Sequence, residues 1–211
     1  MIQFPSRRAS LAFVVAIAAV VLTACSGAPA ATTAPSVDQV GASCPTSQPP
    51  ALGAGETRTV VVTTSLGTIT LKIEGDLSPI AAGNFVALAS CGYYDGVVFH
   101  RVVPGFVIQG GDPTGTGSGG PGYSIQDEPV TATYHRGSLA MARTPAPNSQ
   151  GSQFFIVLDD GAARSLASAN TYAIFGEVSG GMDTVDAIAA AADGELPSQP
   201  IAMTKVTVTN P

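Results

Sequence analysis

The sequence predicts a mainly β domain, a closed antiparallel barrel capped by two α-helices. Short β-rich runs bounded by turn residues follow one another from residue 59 onward, and two helical segments separate them. No internal repeat or second domain interrupts this pattern. At 211 residues the chain has room for one domain of ordinary size and additional segments.

The first predicted elements form an antiparallel hairpin with one buried face. Residues 59–64 are β-branched throughout, and Gly67 closes the turn that follows them. Residues 68–73 then alternate polar and apolar side chains with the period of a strand. We therefore expect one face of this hairpin to pack on the core.

Two helices and further short strands complete the predicted domain. Ser78 and Pro79 open the first helix as a capping hydroxyl and a proline at the first helical position, and Cys91 and Gly92 end it. A second helix is predicted at about 183–191. The remaining β-rich runs are 97–103, 106–109, 138–142, 153–158, 172–175 and 203–209.

The first 24 residues follow the pattern of a lipoprotein signal peptide. Arg7 and Arg8 precede an apolar run, 11–22, that is too short to span a bilayer comfortably. The run ends in Leu-Thr-Ala-Cys25, which resembles the lipobox of bacterial lipoproteins. We expect an exported protein that a lipid on Cys25 anchors to the outer face of the bacterial cytoplasmic membrane. An ordinary signal peptide that happens to contain a cysteine is the alternative, and the Sec and twin-arginine export routes stay open.

The segment 25–55 is rich in Ala, Pro, Thr and Ser and has few large apolar residues. Such a composition cannot bury enough surface to offset its ordering entropy, so it predicts a flexible tether before a domain at 56–211. Once Cys25 carries lipid, Cys44 and Cys91 are the two remaining cysteines. An exported compartment permits their disulfide, and a buried free thiol at Cys91 with an unused Cys44 is the alternative.

The charge of the chain excludes one class of partner. The formal net charge is -6, and removal of Arg7 and Arg8 with the signal peptide makes it -8. A protein this acidic lacks the Lys and Arg surface that binds phosphates, so no nucleic-acid partner is expected. Anionic lipid would also repel it, so membrane attachment is expected to rest on the lipid alone.

No cofactor or metal is expected. Residues 115–120 satisfy the G-x-G-x-x-G pattern, but Pro121 and Gly122 follow them, where a nucleotide-binding helix would have to begin. We interpret this stretch as a surface loop. The two histidines, His100 and His135, show no ligand spacing to a cysteine or carboxylate. A structural hydrogen bond is the expected role of His100.

The stretch 99–112, Phe-His-Arg-Val-Val-Pro-Gly-Phe-Val-Ile-Gln-Gly-Gly-Asp, carries the candidate chemistry. A strand–turn–strand interpretation presents Arg101 beside an apolar pair, Phe106 and Val107, with Gln109 near enough to orient the guanidinium. Taken alone, an arginine in a strand is more often a solvated or paired charge.

This stretch resembles, nearly residue for residue, the signature of the cyclophilin-type peptidyl-prolyl cis-trans isomerases. A second block, 141–156, resembles the other active-site strand and loop of that family, and the resemblance runs from about 59 to 211. It implies an eight-stranded barrel and an isomerase that acts on proline-containing polypeptides. Together with the signal-peptide pattern, this leads us to expect a monomeric isomerase that assists the folding of envelope or secreted proteins. A non-catalytic peptide-binding module or holdase chaperone that uses the same groove is the alternative.

The resemblance also assigns roles to individual residues. It makes Arg101 the hydrogen-bond donor to the twisted prolyl nitrogen and Gln109 the residue that holds the guanidinium. The chain departs from the family in having Val107 where methionine is frequent, in having no tryptophan, and in placing Tyr172 where a rim histidine is found. The residues implied to bind substrate are Phe106, Val107 and Phe155 around the proline ring, Ala142, Arg143 (through its main chain) and Gln153 along the backbone groove, and Leu166 and Tyr172 at the rim.

Overall fold

Eight antiparallel strands curl into an open half-barrel in the computed structural model, which describes residues 44–209. The predicted signal peptide, the lipidation residue Cys25 and the tether up to residue 43 lie outside the described residues. The strand order is β3-β4-β6-β5-β7-β2-β1-β8. The strands are β1 Thr57–Thr64, β2 Gly67–Glu74, β3 Arg101–Val103, β4 Val107–Gly110, β5 Ser138–Met141, β6 Phe154–Val157, β7 Ile174–Gly180 and β8 Lys205–Thr209.

The predicted first hairpin is confirmed. Strands β1 and β2 pair antiparallel from Thr57 opposite Glu74 to Thr64 opposite Gly67. Ile69, Leu71 and Ile73 are fully buried, as the alternation of β2 predicts. The apolar face of this hairpin therefore forms one wall of the core.

The barrel was predicted to be closed, but the sheet of the structure is open. Strands β3 and β8 end the sheet, and no ladder joins them within residues 44–209. The predicted strand 97–103 is regular only from Arg101, because its first part leaves the sheet. There the chain crosses the gap through single hydrogen bonds, from Phe99 N to Ile201 O (2.9 Å) and from Met203 N to Val97 O (2.8 Å).

Helix α1, Pro79–Ser90, begins where the sequence predicts, but Ser78 does not cap it. Its first free N–H groups, those of Ile80 and Ala81, each donate to a carboxylate oxygen of Glu128 at 2.8 Å. A carboxylate at a helix amino end is favoured by the helix dipole. Glu128 therefore replaces the expected hydroxyl, and the Ser78 hydroxyl is buried with no hydrogen-bond partner among the described residues.

The structure adds a helix, α2 (Asp160–Ala169), between the predicted β-rich runs 153–158 and 172–175, where no helix was predicted. Asp159 caps it by accepting from Ala162 N at 2.8 Å, and Asn170 ends it in the left-handed conformation. Its buried face is small, with Ala162, Ala163 and Leu166. The third helix, α3 (Met182–Ala191), lies at the predicted position.

Two apolar clusters divide the interior. Consecutive residues of β6 point to opposite faces, so Phe154 joins the main core and Phe155 joins a second, smaller cluster. Phe154 contacts Phe85 of α1 at a centroid distance of 5.2 Å. The second cluster contains Val107, Tyr134 and Leu166 and supports the candidate site.

Residues 44–55, the last part of the predicted tether, pack on the domain. Cys44 and Cys91 form a disulfide with a Cα–Cα distance of 5.2 Å, one of the two alternatives that the sequence left open. Leu52 is buried and donates its backbone N–H to Pro79 O at 2.9 Å. A Cβ on Gly83 of α1 would overlap the carbonyl oxygen of Pro50, so a glycine allows this close approach. In residues 44–209 no helix has the length and hydropathy needed to cross a membrane.

Candidate active site

A cavity of about 200 Å³ opens beside the turn between β3 and β4. Its floor is apolar and one side carries a guanidinium, an amide and the entrance to a larger groove. The lining contains nine of the ten residues to which the sequence analysis assigned catalytic or substrate-binding roles, drawn from five separate segments of the chain. They are Arg101, Phe106, Val107, Gln109, Ala142, Arg143, Phe155, Leu166 and Tyr172.

Arg101 is held from two sides. Strand pairing sets it directly opposite Gln109, so the two side chains share a face of the sheet. The guanidinium donates from Nη1 to Gln109 Oε1 at 3.4 Å and from Nε to Glu195 Oε1 at 2.8 Å. Its third nitrogen, Nη2, has no hydrogen-bond partner among residues 44–209, and Arg101 is one of the residues that line the cavity.

Two amide groups in series fix which atom of Gln109 faces Arg101. The Gln153 nitrogen donates to the carbonyl oxygens of Gly117 (3.0 Å) and Gly119 (2.9 Å), so its own oxygen must face Gln109. Gln109 then donates from its nitrogen to that oxygen at 2.9 Å. Its carbonyl oxygen is left to accept from Arg101, which is the orientation needed to hold a guanidinium.

The glycine-rich loop that supplies these carbonyls is organised by a buried carboxylate, Asp112. One of its oxygens accepts from the N–H and hydroxyl of Thr114, and the other accepts from the N–H groups of Thr116, Gly117 and Gly119 at 3.1, 2.6 and 3.0 Å. Burial alone raises the pKa of Asp112, but these hydrogen bonds outweigh it and hold the pKa below its usual value. The stretch 115–120 is therefore a loop folded around a carboxylate.

The apolar floor comes from strands and from α2. Phe155 and Leu166 are each 4 % exposed, and Val107 is 2 % exposed. Tyr172 meets Phe155 edge to face, with ring centroids 5.4 Å apart. Tyr134 fixes this rim residue, since its hydroxyl donates to Tyr172 O at 2.6 Å and accepts from Tyr172 N at 3.2 Å.

Gln153, the tenth residue, lies in the adjoining groove of about 450 Å³, which shares Gln109, Ala142 and Arg143 with the cavity. The Arg143 side chain is already engaged: it pairs with Asp127 at 3.1 Å and donates to backbone carbonyls that include Ala146 O at 3.0 Å. Its guanidinium thereby ties the loop beyond β5 to the domain. A substrate contact through the Arg143 main chain is compatible with this arrangement.

His100 does not make the hydrogen bond that the sequence analysis expected. Both of its ring nitrogens are buried without a hydrogen-bond partner in the part of the chain that the structure describes. Burial lowers the pKa of His100, which favours the neutral ring at neutral pH. No cluster of three or more His, Cys, Asp or Glu residues suited to a metal ion occurs among residues 44–209.

Three residues that shape the site were missed by the sequence analysis. Glu195 is 94 residues from Arg101, and no local pattern connects them. Tyr134 likewise reaches Tyr172 only through the fold. Asp112 could have been found, because an aspartate followed by Thr114 and several glycines is a signal for side-chain to backbone hydrogen bonds.

We predict that Asp112→Asn lowers the free energy of unfolding by about 1–3 kcal/mol at pH 7, because asparagine has one acceptor oxygen, whereas both oxygens of Asp112 accept from partly buried donors of the loop. Since the folded-state pKa is depressed, the carboxylate stabilises the wild type above about pH 4, and this contribution is lost as the pH falls through the folded-state pKa. Urea unfolding from pH 7 to pH 3 measures both effects. The variant should lose less stability than wild type over this range, and parallel curves would contradict the prediction.

The half-barrel thus places a guanidinium with two hydrogen-bond partners beside a small cavity with an apolar floor, and this cavity adjoins a larger groove. A model of the family described as "Cyclophilin type peptidyl-prolyl cis-trans isomerase/CLD" matches residues 59–208. The chain belongs to this family.

Individual relatives agree with this assignment. The chain is 41% identical over 156 residues to the peptidyl-prolyl cis-trans isomerase CYP18-1 of Arabidopsis thaliana, a match that covers 71% of this chain and 94% of the relative. It is 48% identical over 128 residues to the peptidyl-prolyl isomerase CWC27 of Cryptococcus neoformans, covering 57% of this chain but 25% of that longer protein. The chain thus spans about a quarter of the length of that relative.

The fold is also similar to a solved structure. A cyclophilin type peptidyl-prolyl cis-trans isomerase of Cryptosporidium parvum, solved in the presence of the dipeptide Ala-Pro, has a TM-score of 0.65 and 33% sequence identity. The similarity covers 72% of this chain and 99% of that chain.

Proposed function

We propose that the protein catalyses cis-trans isomerisation of X-Pro peptide bonds. The observation that carries this proposal is the placement of Arg101, restrained at two nitrogens and lining an apolar cavity of about 200 Å³. Membership of the isomerase family supports it. The Ala-Pro dipeptide present with the Cryptosporidium parvum relative is a ligand of the expected chemistry.

Isomerisation demands little from the protein beyond a preorganised donor. Rotation about the peptide bond has a barrier of roughly 20 kcal/mol because conjugation of the nitrogen lone pair is lost in the twisted state. Without a catalyst, exchange takes tens to hundreds of seconds. In the twisted state the prolyl nitrogen becomes pyramidal and can accept a hydrogen bond, which a planar amide nitrogen cannot. A donor aimed at that nitrogen therefore stabilises mainly the transition state.

In this proposal Arg101 is the donor, and Gln109 orients its guanidinium. The apolar floor binds the proline ring in both planar forms and in the twisted form. Gln153, Ala142 and the main chain of Arg143 border the path of the substrate backbone. No nucleophile or cofactor takes part. The residues of the apolar floor are Phe106, Val107, Phe155, Leu166 and Tyr172.

The deciding experiment is an exchange measurement on a short X-Pro peptide with the full chain in mild detergent. Acceleration of cis-trans exchange, read from line shapes or exchange spectroscopy, is the expected result. A protein that binds the peptide without accelerating exchange would instead be the peptide-binding module or holdase. Arg101→Ala provides the matched variant and is discussed below.

We further propose that the protein acts on exported polypeptides from a lipid anchor at Cys25. The lipobox-like pattern that ends at Cys25 supports an exported location, and a disulfide between Cys44 and Cys91 is compatible with an oxidising compartment. The groove and cavity would then face newly exported chains that contain proline.

We predict that Cys25→Ala abolishes incorporation of a fatty-acid analogue in cells, because the proposed acceptor thiol is lost. Cys44→Ala is the matched control, since it removes a cysteine that is not placed in a lipobox-like pattern. Labelling of the Cys25→Ala protein at the wild-type level would rule out the anchor. Because Cys44→Ala also removes the disulfide, label is compared at equal protein level, and loss of label from that protein would show that labelling does not report on Cys25.

A further inference from the structure

Glu195 makes the tightest contact to the Arg101 guanidinium, yet it belongs to no recognised motif of the sequence. The distance from Arg101 Nε to Glu195 Oε1 is 2.8 Å, compared with 3.4 Å from Nη1 to Gln109 Oε1. A charge-assisted hydrogen bond of this length is stronger than one to a neutral amide. Glu195 is thus the nearer of the two hydrogen-bond partners of the guanidinium, although its side chain is 59% exposed.

The backbone explains why Glu195 stands beside Arg101. Strand β3 ends the sheet, so its outer edge has free backbone groups. Val102 follows Arg101 in this strand, and its backbone N–H donates to Glu195 O at 2.9 Å. One backbone hydrogen bond therefore sets the position of Glu195 relative to the arginine.

The loop that carries Glu195 is itself closed by a local interaction. Asp193 accepts from the backbone N–H of Ser198 at 2.9 Å and from its hydroxyl. These hydrogen bonds from Ser198 lower the pKa of Asp193 and so favour its charged carboxylate. Glu195 therefore lies in a loop whose two ends, Asp193 and Ser198, are joined by these hydrogen bonds.

We propose that Glu195 is a positioning residue for the isomerase reaction, an inference that rests on the proposed function. Its carboxylate holds Arg101 Nε and so restrains the guanidinium beside the cavity, from which it donates to the twisted prolyl nitrogen. Glu195 does not line the cavity and touches no reacting atom, so it acts through Arg101. A ground-state peptide gains nothing from this restraint, and binding should not depend on it.

The test compares Glu195→Ala, Glu195→Gln and wild type as full-length protein in detergent, with one X-Pro peptide. We expect Glu195→Ala to lower the exchange rate at saturating peptide about three- to fivefold, the upper range for a partly exposed ion pair, with unchanged peptide affinity. Glu195→Gln keeps an acceptor for Nε and should recover part of the loss. High salt should reduce the difference in exchange rate between wild type and Glu195→Ala, because it screens the ion pair.

Two further readouts separate positioning from a general structural effect. The Arg101 Nε–H signal in nuclear magnetic resonance spectra should shift in Glu195→Ala. Glu74→Ala, which removes an ion pair with Lys72 on β2, is the matched control and should change neither the signal nor the exchange rate.

Each contrary outcome has a distinct meaning. An unchanged or faster rate in Glu195→Ala, with an active wild type, overturns the positioning role alone, and a faster rate would mean that the contact restrains Arg101 away from substrate. Equal loss of affinity and rate also overturns it, because the glutamate would then support the cavity itself. A wild type that never accelerates exchange overturns the proposed function, and the inference with it.

Discussion

Arg101→Ala is expected to lower the rate of X-Pro exchange by about 10²–10³, because loss of one preorganised donor in a comparable site costs roughly 3–4 kcal/mol of transition-state stabilisation. Peptide affinity should stay within a few-fold of wild type. The planar ground-state amide offers its nitrogen no hydrogen bond, so the lost interaction belongs to the twisted state. Exchange spectroscopy on one peptide gives both the affinity and the rate.

Phe106→Ala is the contrasting variant for this experiment. The contact of an aromatic floor with the proline ring exists in the planar and twisted states alike, so binding and turnover should weaken together. An Arg101→Ala protein that exchanges the peptide as fast as wild type would refute the proposed mechanism. Equal losses of affinity in both variants would also count against it.

Loss of the disulfide between Cys44 and Cys91 is the second large effect that we expect. In the chain-entropy model a cross-link across 47 residues stabilises the fold by at most about 4 kcal/mol, through its restriction of the unfolded chain. We predict that Cys44→Ser lowers the free energy of unfolding by about 2–4 kcal/mol, measured by urea unfolding. Neither cysteine lines the cavity, so the exchange rate of the folded protein should be unchanged.

A reductant provides the matched control for the disulfide. It should destabilise wild type to the level of Cys44→Ser and leave Cys44→Ser itself unaffected. If wild type has the same unfolding midpoint with and without reductant, the cross-link contributes no stability. Free-thiol titration of the denatured, unreduced protein should find neither Cys44 nor Cys91.

The elements that local pattern specifies were the ones predicted well. Strand β2 alternates buried and partly exposed residues with period two, α1 begins at the predicted Pro79, and α3 begins one residue before its predicted start. Helix α2 was missed because its buried face is made of small residues and one leucine, although Asp159 is an ordinary capping residue. The barrel was expected to close, yet the chain before β3 leaves the sheet, and only isolated hydrogen bonds join it to the segment before β8.

In the candidate site, too, local contacts could be predicted from the sequence and distant contacts could not. Arg101 and Gln109 are eight residues apart on a hairpin, so the register of one turn is enough to bring them together. The orientation of Gln109 depends on Gln153, which accepts a hydrogen bond from it. Gln153 is in turn oriented by two backbone carbonyls of the loop around Asp112, so residues distant in the sequence fix the Gln109 amide. No pattern in the sequence predicts whether the oxygen or the nitrogen of such an amide faces the arginine.

The sequence by itself determined the strands, helices α1 and α3, the resemblance that supports isomerase chemistry, and the residues that line the cavity, because each is recorded in short runs of neighbouring residues. The tertiary structure alone decided that Glu128 caps α1, that Glu195 holds Arg101, and that the sheet stays open. These contacts join residues that are tens of positions apart. Their geometry is fixed by packing and by free groups at strand and helix ends, which a local pattern does not encode.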